Sequence, residues 1–106
     1  MAHKTPTVYA ADGRLRFYDA DQDMWRSLLI GSPGWYAWLE QGHAWRYEGT
    51  EGSYTARYEV RVRFQGWYAY RKVAGRLHSA YLGRSEALTA ERLAVVAGRT
   101  GGKRRE

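Results

Sequence analysis

The sequence predicts an α+β fold: an antiparallel β-sheet, with a three-stranded meander near residues 54–83 and an N-terminal hairpin, packed by a C-terminal helix and a short helix near 33–41. Three observations predict it. From Tyr54 to Gln65 apolar and polar residues alternate strictly, Asp12-Gly13 separates two strand-like runs, and Leu88, Leu93, Val96 and Ala97 make an apolar stripe at helical spacing. With 106 residues, 44% of them hydrophobic, there is enough apolar area for one core and too little chain for two. The expected organisation is a single domain over 1–98, divisible into an N-terminal subdomain, 7–42, and a basic sheet–helix unit, 44–98. A disordered basic tail, 99–106, follows.

The elements follow in order. Asp12-Gly13 between Val8–Ala11 and Arg14–Tyr18 is a hairpin signal, since Gly supplies the positive φ such turns need. Asp19, Asp21 and Asp23 alternate as in a calcium loop but lack its glycine and distal glutamate, so they read as a solvated turn. Trp25–Ile30 reads as a further strand. Ser32 is a natural N-cap, Pro33 suits the first helical position and Gly42 a helix stop. Trp35, Trp38 and Leu39 then share one helical face, a spacing that favours core packing over base-stacking platforms.

Ala44–Glu48 reads as a strand and Gly49–Gly52 as a turn. Along 54–65 the even positions are Tyr54, Ala56, Tyr58, Val60, Val62 and Phe64, and the odd ones include Arg57, Arg61 and Arg63. One extended strand would therefore bury its even face and present a row of arginines on the other. Trp67–Val73 and Arg76–Leu82 complete the meander around Ala74-Gly75; alternation in these two strands is too weak to assign their faces. Glu86–Gly98 reads as a helix, capped by Ser85 or Thr89 and stopped by Gly98, whose apolar stripe covers the apolar side of the three strands.

Charge is uneven. Residues 1–51 hold five basic and seven acidic side chains, whereas 52–106 hold twelve basic and four acidic. Fourteen of the seventeen basic residues are Arg, whose planar fork suits phosphate and guanine edges, although a GC-rich genome also raises Arg over Lys. The absence of cysteine excludes a disulfide scaffold, thiolate metal sites and a cysteine nucleophile, and fits a reducing compartment. His3, His43 and His78 lie far apart with no metal-ligand spacing, and no nucleophile–base pair or phosphate loop is spelled out. No apolar run is long enough to span a membrane, and no signal peptide is expected.

Four segments resemble, in order, a known module: Gly31-Ser32-Pro33-Gly34-Trp35-Tyr36-Ala37-Trp38-Leu39-Glu40, Gly52-Ser53-Tyr54-Thr55-Ala56-Arg57, Gly66-Trp67-Tyr68-Ala69-Tyr70-Arg71, and the stretch from Gly75 to Thr89. Between about Leu29 and Ala97 the chain is similar to the segment ahead of the ATPase core in LuxR/MalT-type bacterial transcription regulators. Its strand–strand–strand–helix order also resembles the arm-type DNA-binding domains of tyrosine recombinases. That resemblance implies three strands entering the major groove with the last helix bracing them, and Arg57, Arg61, Arg63 and Arg71 fall in the corresponding strands. The 106 residues contain neither the nucleotide-binding core nor the helix-turn-helix of those regulators.

The expectation is a non-enzymatic, cytoplasmic, nucleoid-associated or regulatory protein that docks a basic sheet face on duplex DNA, without cofactor, metal or membrane and with a partner protein allowed. Its DNA-binding residues would be Arg57, Arg61, Arg63, Arg71, Lys72, Arg76, His78, Arg84, Lys103, Arg104 and Arg105. The alternatives are a protein-interaction or sensory module with an aromatic surface, and an RNA or single-strand binder using Trp67, Tyr68 and Tyr70.

Overall fold

In the computed structural model, which describes residues 5–100, the chain runs β1 (Thr7–Tyr9), β2 (Arg14–Asp19), β3 (Met24–Leu29), α1 (Pro33–Leu39), β4 (Trp45–Gly49), β5 (Gly52–Glu59), β6 (Gly66–Val73), β7 (Arg76–Gly83) and α2 (Ala90–Thr100), with a 3-10 turn at Ser85–Ala87. The seven strands form one sheet in the order β3-β2-β1-β4-β5-β6-β7. Neighbours are antiparallel except β1 and β4, which run parallel with Val8 opposite Tyr47. The α+β class is as the sequence predicts. The hairpin and the meander, however, are joined into a single sheet by a parallel pairing that no local pattern encodes.

Both helices lie on one face. Ser32 caps α1 by accepting a hydrogen bond from the Trp35 amide, with Pro33 at its start, and Trp35, Trp38 and Leu39 are buried as their spacing requires. Trp35 packs edge-on against Trp45 of β4, 5.4 Å between ring centroids, and its Nε1–H donates to the Leu88 carbonyl. The Tyr54 hydroxyl donates to the Leu93 carbonyl in α2, tying β5 to that helix. Val8, Leu15, Trp45, Tyr54, Ala56, Trp67, Ala69 and Leu82 form the sheet's side of the core, and Leu88, Leu93, Val96 and Ala97 close it. Full burial of each large aliphatic contributes about 1.5–3 kcal/mol, so this single apolar face accounts for the helices' positions.

Three expectations are corrected. First, the strand expected over 54–65 ends at Glu59, and 60–65 form a connection in which Val60, Val62 and Phe64 are exposed. Among the described residues the alternation there has no neighbouring strand to pair with: β6 starts at Gly66, directly opposite Glu59. Its tight approach requires glycine, since a Cβ on Gly66 would meet the Gly83 carbonyl oxygen at 2.7 Å. Arg61 and Arg63 therefore leave the strand, and only Arg57 of the expected row stays in it. Second, the C-terminal helix is interrupted. Leu88 breaks it after the 3-10 turn, and α2 restarts under Thr89, whose hydroxyl accepts from the Arg92 amide. Third, α2 runs through Gly98 to Thr100, because burial of Val96 and Ala97 outweighs the weak stop signal.

Candidate nucleic-acid interface

With α1 and α2 on one face, the other face of the sheet has no helix over it among the described residues. Register and alternation assign its side chains: Thr55, Arg57 and Glu59 of β5 stand with Tyr68, Tyr70 and Lys72 of β6 and with Leu77, Ser79 and Tyr81 of β7. Arg46 and Glu48 continue this face across β4, followed by Thr7 and Tyr9, then Arg14 and Arg16, then Trp25 and Ser27. Two shallow concavities mark the face, one of about 670 Å³ around Arg57, Thr55, Tyr70 and Lys72, the other of about 740 Å³ around Tyr9, Arg16 and Trp25, and both reach Arg46.

Arg61 sits on this face although it lies outside β5. Its Nε donates to Glu59 at 2.7 Å and its Nη2 to the Tyr70 hydroxyl at 2.9 Å, and the guanidinium covers the Tyr68 ring. The Tyr70 hydroxyl also donates to Glu59. This bond, with Arg61 second, holds the Glu59 carboxyl below its usual range, and the same contacts push Tyr70 and Arg61 up. Arg46 and Arg16 are likewise paired, with Glu48 and Asp12. Among the described residues Arg57 and Lys72 form no salt bridge.

The far end of the β6–β7 hairpin is different in kind. β5 pairs with β6 only as far as Tyr70, so from Arg71 onward the hairpin is a two-stranded ribbon, closed by the turn Ala74-Gly75. Residues 74–79 are all exposed, so neither side of the ribbon is covered. Lys72 projects on the open-face side, whereas Arg71, Arg76 and His78 project on the opposite side. No acidic residue lies between Gly66 and Gly83. Arg71 is partly committed, donating from Nη1 to the Ser53 carbonyl and so bracing the base of the ribbon.

The sequence-predicted residues thus divide. Arg57, Arg61 and Lys72 are on the open face, and Arg71, Arg76 and His78 are on the other side of the ribbon. Arg63 is exposed in the 60–65 connection, and Arg84 is exposed at the start of the 3-10 turn, beside Leu39 and Tyr58. Lys103, Arg104 and Arg105 lie outside the described residues. Arg14, Arg16 and Arg46 were missed, because the parallel β1–β4 pairing that brings them to this face is non-local. Of the aromatics expected to stack on bases, Trp67 is in the core at 0% exposure and Tyr68 is 6% exposed, so neither offers a free ring face. Among the described residues no cluster of His, Cys, Asp or Glu could hold a metal ion, and no helix is long and apolar enough to cross a membrane.

No protein-family model matches the chain, and no curated protein and no solved structure shows significant similarity to it.

Proposed function

We propose that the chain binds duplex DNA, with the β6–β7 ribbon entering the major groove and the adjoining open face resting on the flanking phosphates. Seven strands about 4.8 Å apart span about 29 Å, too wide for a major groove of about 12 Å. A two-stranded ribbon fits, and the three residues Arg71–Val73 extend about 10 Å, comparable to the groove's depth of about 8.5 Å. A ribbon entering by its tip offers one side to each phosphate wall: Lys72, with Arg57 behind it, to one, and Arg76 and His78 to the other.

The observation that carries this reading is the ribbon itself: basic on both sides, free of acids and uncovered. The tip, Ala74-Gly75, has no side-chain donor or acceptor to read base edges, so the contacts are mostly to backbone and sequence preference is weak. This favours an architectural, nucleoid-type role over a site-specific regulator. The strand–strand–strand–helix order that resembles recombinase arm domains, in which a sheet would meet DNA opposite a bracing helix, supports docking by the sheet and says nothing of sequence preference. The test is an anisotropy titration of a random-sequence duplex against the wild type and Lys72→Ala/Arg76→Ala over a range of salt.

A protein partner is the second reading, and one observation favours it: in the 60–65 connection Val60, Val62 and Phe64 are all exposed, an apolar cluster unusual beside so much charge. Binding of a partner that survives nuclease and high salt, and is lost in Val62→Ser/Phe64→Ser, would support it.

A further inference from the structure

Four of the five tryptophans, Trp35, Trp38, Trp45 and Trp67, are at most 6% exposed, whereas Trp25 is 54% exposed. It stands on the open face of the edge strand β3, paired with Tyr18, whose ring meets it edge-on at 5.7 Å. Core packing explains the four buried rings and leaves the fifth unexplained, since an exposed edge strand normally carries polar residues. Trp25 and Tyr9 border the same 740 Å³ concavity, with Arg16 of β2 between them and Arg46 of β4 beyond Tyr9. The Arg16 guanidinium lies 5.7 Å from the Tyr9 ring centroid. Asp12 and Glu48 orient these two guanidinium groups, and neighbouring Arg14, which donates to the Ser27 hydroxyl, forms no salt bridge among the described residues.

We infer that this concavity is a second nucleic-acid site, one that takes single-stranded DNA by stacking bases on Trp25 and Tyr9 while Arg14, Arg16 and Arg46 meet the phosphates. Alternating exposed rings and guanidinium groups on a sheet are what an unpaired strand needs: a π-face for each base and a cation for its backbone. A duplex, whose bases are already stacked, cannot use the rings. The site is separate from the ribbon and does not depend on the duplex reading. Because both concavities meet at Arg46, a strand leaving a duplex on β5–β7 has a continuous path to Trp25.

The experiment titrates wild-type protein with a short oligothymidylate and, separately, with a blunt duplex, following tryptophan fluorescence and the anisotropy of a labelled strand. Oligothymidylate is expected to quench the exposed tryptophan. Trp25→Ala should remove the quenching and weaken oligothymidylate about 5- to 150-fold, the loss of one stacked base, with duplex affinity unchanged. Trp25→Phe should retain most of the affinity, and Tyr9→Ala should weaken binding in the same direction. Wild-type affinity in Trp25→Ala, no binding of oligothymidylate by the wild type, or an equal loss on the duplex would each overturn the inference. Tighter binding of oligouridylate than of oligothymidylate would overturn its assignment to DNA.

Discussion

The guanidinium carbon of Arg61 lies 3.9 Å from the centroid of the Tyr68 ring. This contact, together with the hydrogen bonds from Arg61 to Glu59 and Tyr70, folds the 60–65 connection back onto the open face and covers Tyr68. Arg61 is thereby held on the same face as Arg57 and Lys72 with its side-chain entropy already lost, which lowers the cost of using it in binding.

The latch predicts an acid sensitivity. Glu59 has its carboxyl lowered by Tyr70 and Arg61, Asp12 by Arg16, and Asp19 by Arg26. A carboxyl lowered in the folded state contributes stability that is complete above its unfolded value of about 4 and is lost as pH falls through the folded value. Thermal midpoints should therefore be flat from pH 7 to about 5 and fall below about 4. Glu59→Gln should lower the midpoint at pH 7 and make the acid decline shallower. An unchanged acid slope would show that the latch contributes nothing.

The ribbon turn makes a prediction about stability. Ala74 has φ of 53° and Gly75 of 81°, so both residues sit in the left-handed region. For alanine that conformation costs about 1–2 kcal/mol, whereas glycine adopts it freely and asparagine tolerates it. Ala74→Asn should stabilise the protein by about 0.5–1 kcal/mol in urea unfolding, since Asn-Gly is the preferred pair for a two-residue hairpin. A loss of stability would show that the turn has another conformation.

Two buried tryptophans distinguish a hydrogen bond from packing. The Trp35 Nε1–H donates to Leu88, whereas the equally buried Trp45 Nε1–H has no partner among the described residues. Trp35→Phe leaves the Leu88 carbonyl unsatisfied, and Trp45→Phe removes an unsatisfied donor while leaving a similar void. Trp35→Phe should be the more damaging by about 1–3 kcal/mol in urea unfolding. Equal losses would assign both effects to cavity formation.

Much of this architecture was legible locally. The Ser32-Pro33 cap, the spacing of Trp35, Trp38 and Leu39, the Asp12-Gly13 and Ala74-Gly75 turns and the stripe of Leu93, Val96 and Ala97 all specify short-range geometry, and short-range geometry decided them. What the pattern could not convey was partnership. Residues 60–65 have a flawless strand alternation but no strand beside them, so Val62 is exposed and Arg61 turns back onto Tyr68. Conversely, the three-residue β1 is weak in isolation and is fixed by its pairing with β4, which brings Arg14 and Arg16 to the same face as Arg57. The separation of Lys72 from Arg76 and His78 follows from a register set by the Ala74-Gly75 turn, and weak alternation in those strands concealed it.

Weak base readout by Ala74-Gly75 predicts that repeated selection of bound duplexes from a random pool enriches no strong consensus. Single base-pair changes should then each alter affinity by much less than the about 1–3 kcal/mol typical of specific sites. A sharp consensus would require base-reading side chains beyond the ribbon tip.

The most direct measurement is the salt dependence of duplex affinity for the wild type and for Lys72→Ala/Arg76→Ala, with folding of the variant verified by its unfolding midpoint. Each phosphate contact contributes about −0.9 to the slope of log affinity against log salt, so removing both should make the slope shallower by about two and weaken binding at low salt. Wild-type affinity and slope in this variant would contradict docking through the β6–β7 ribbon.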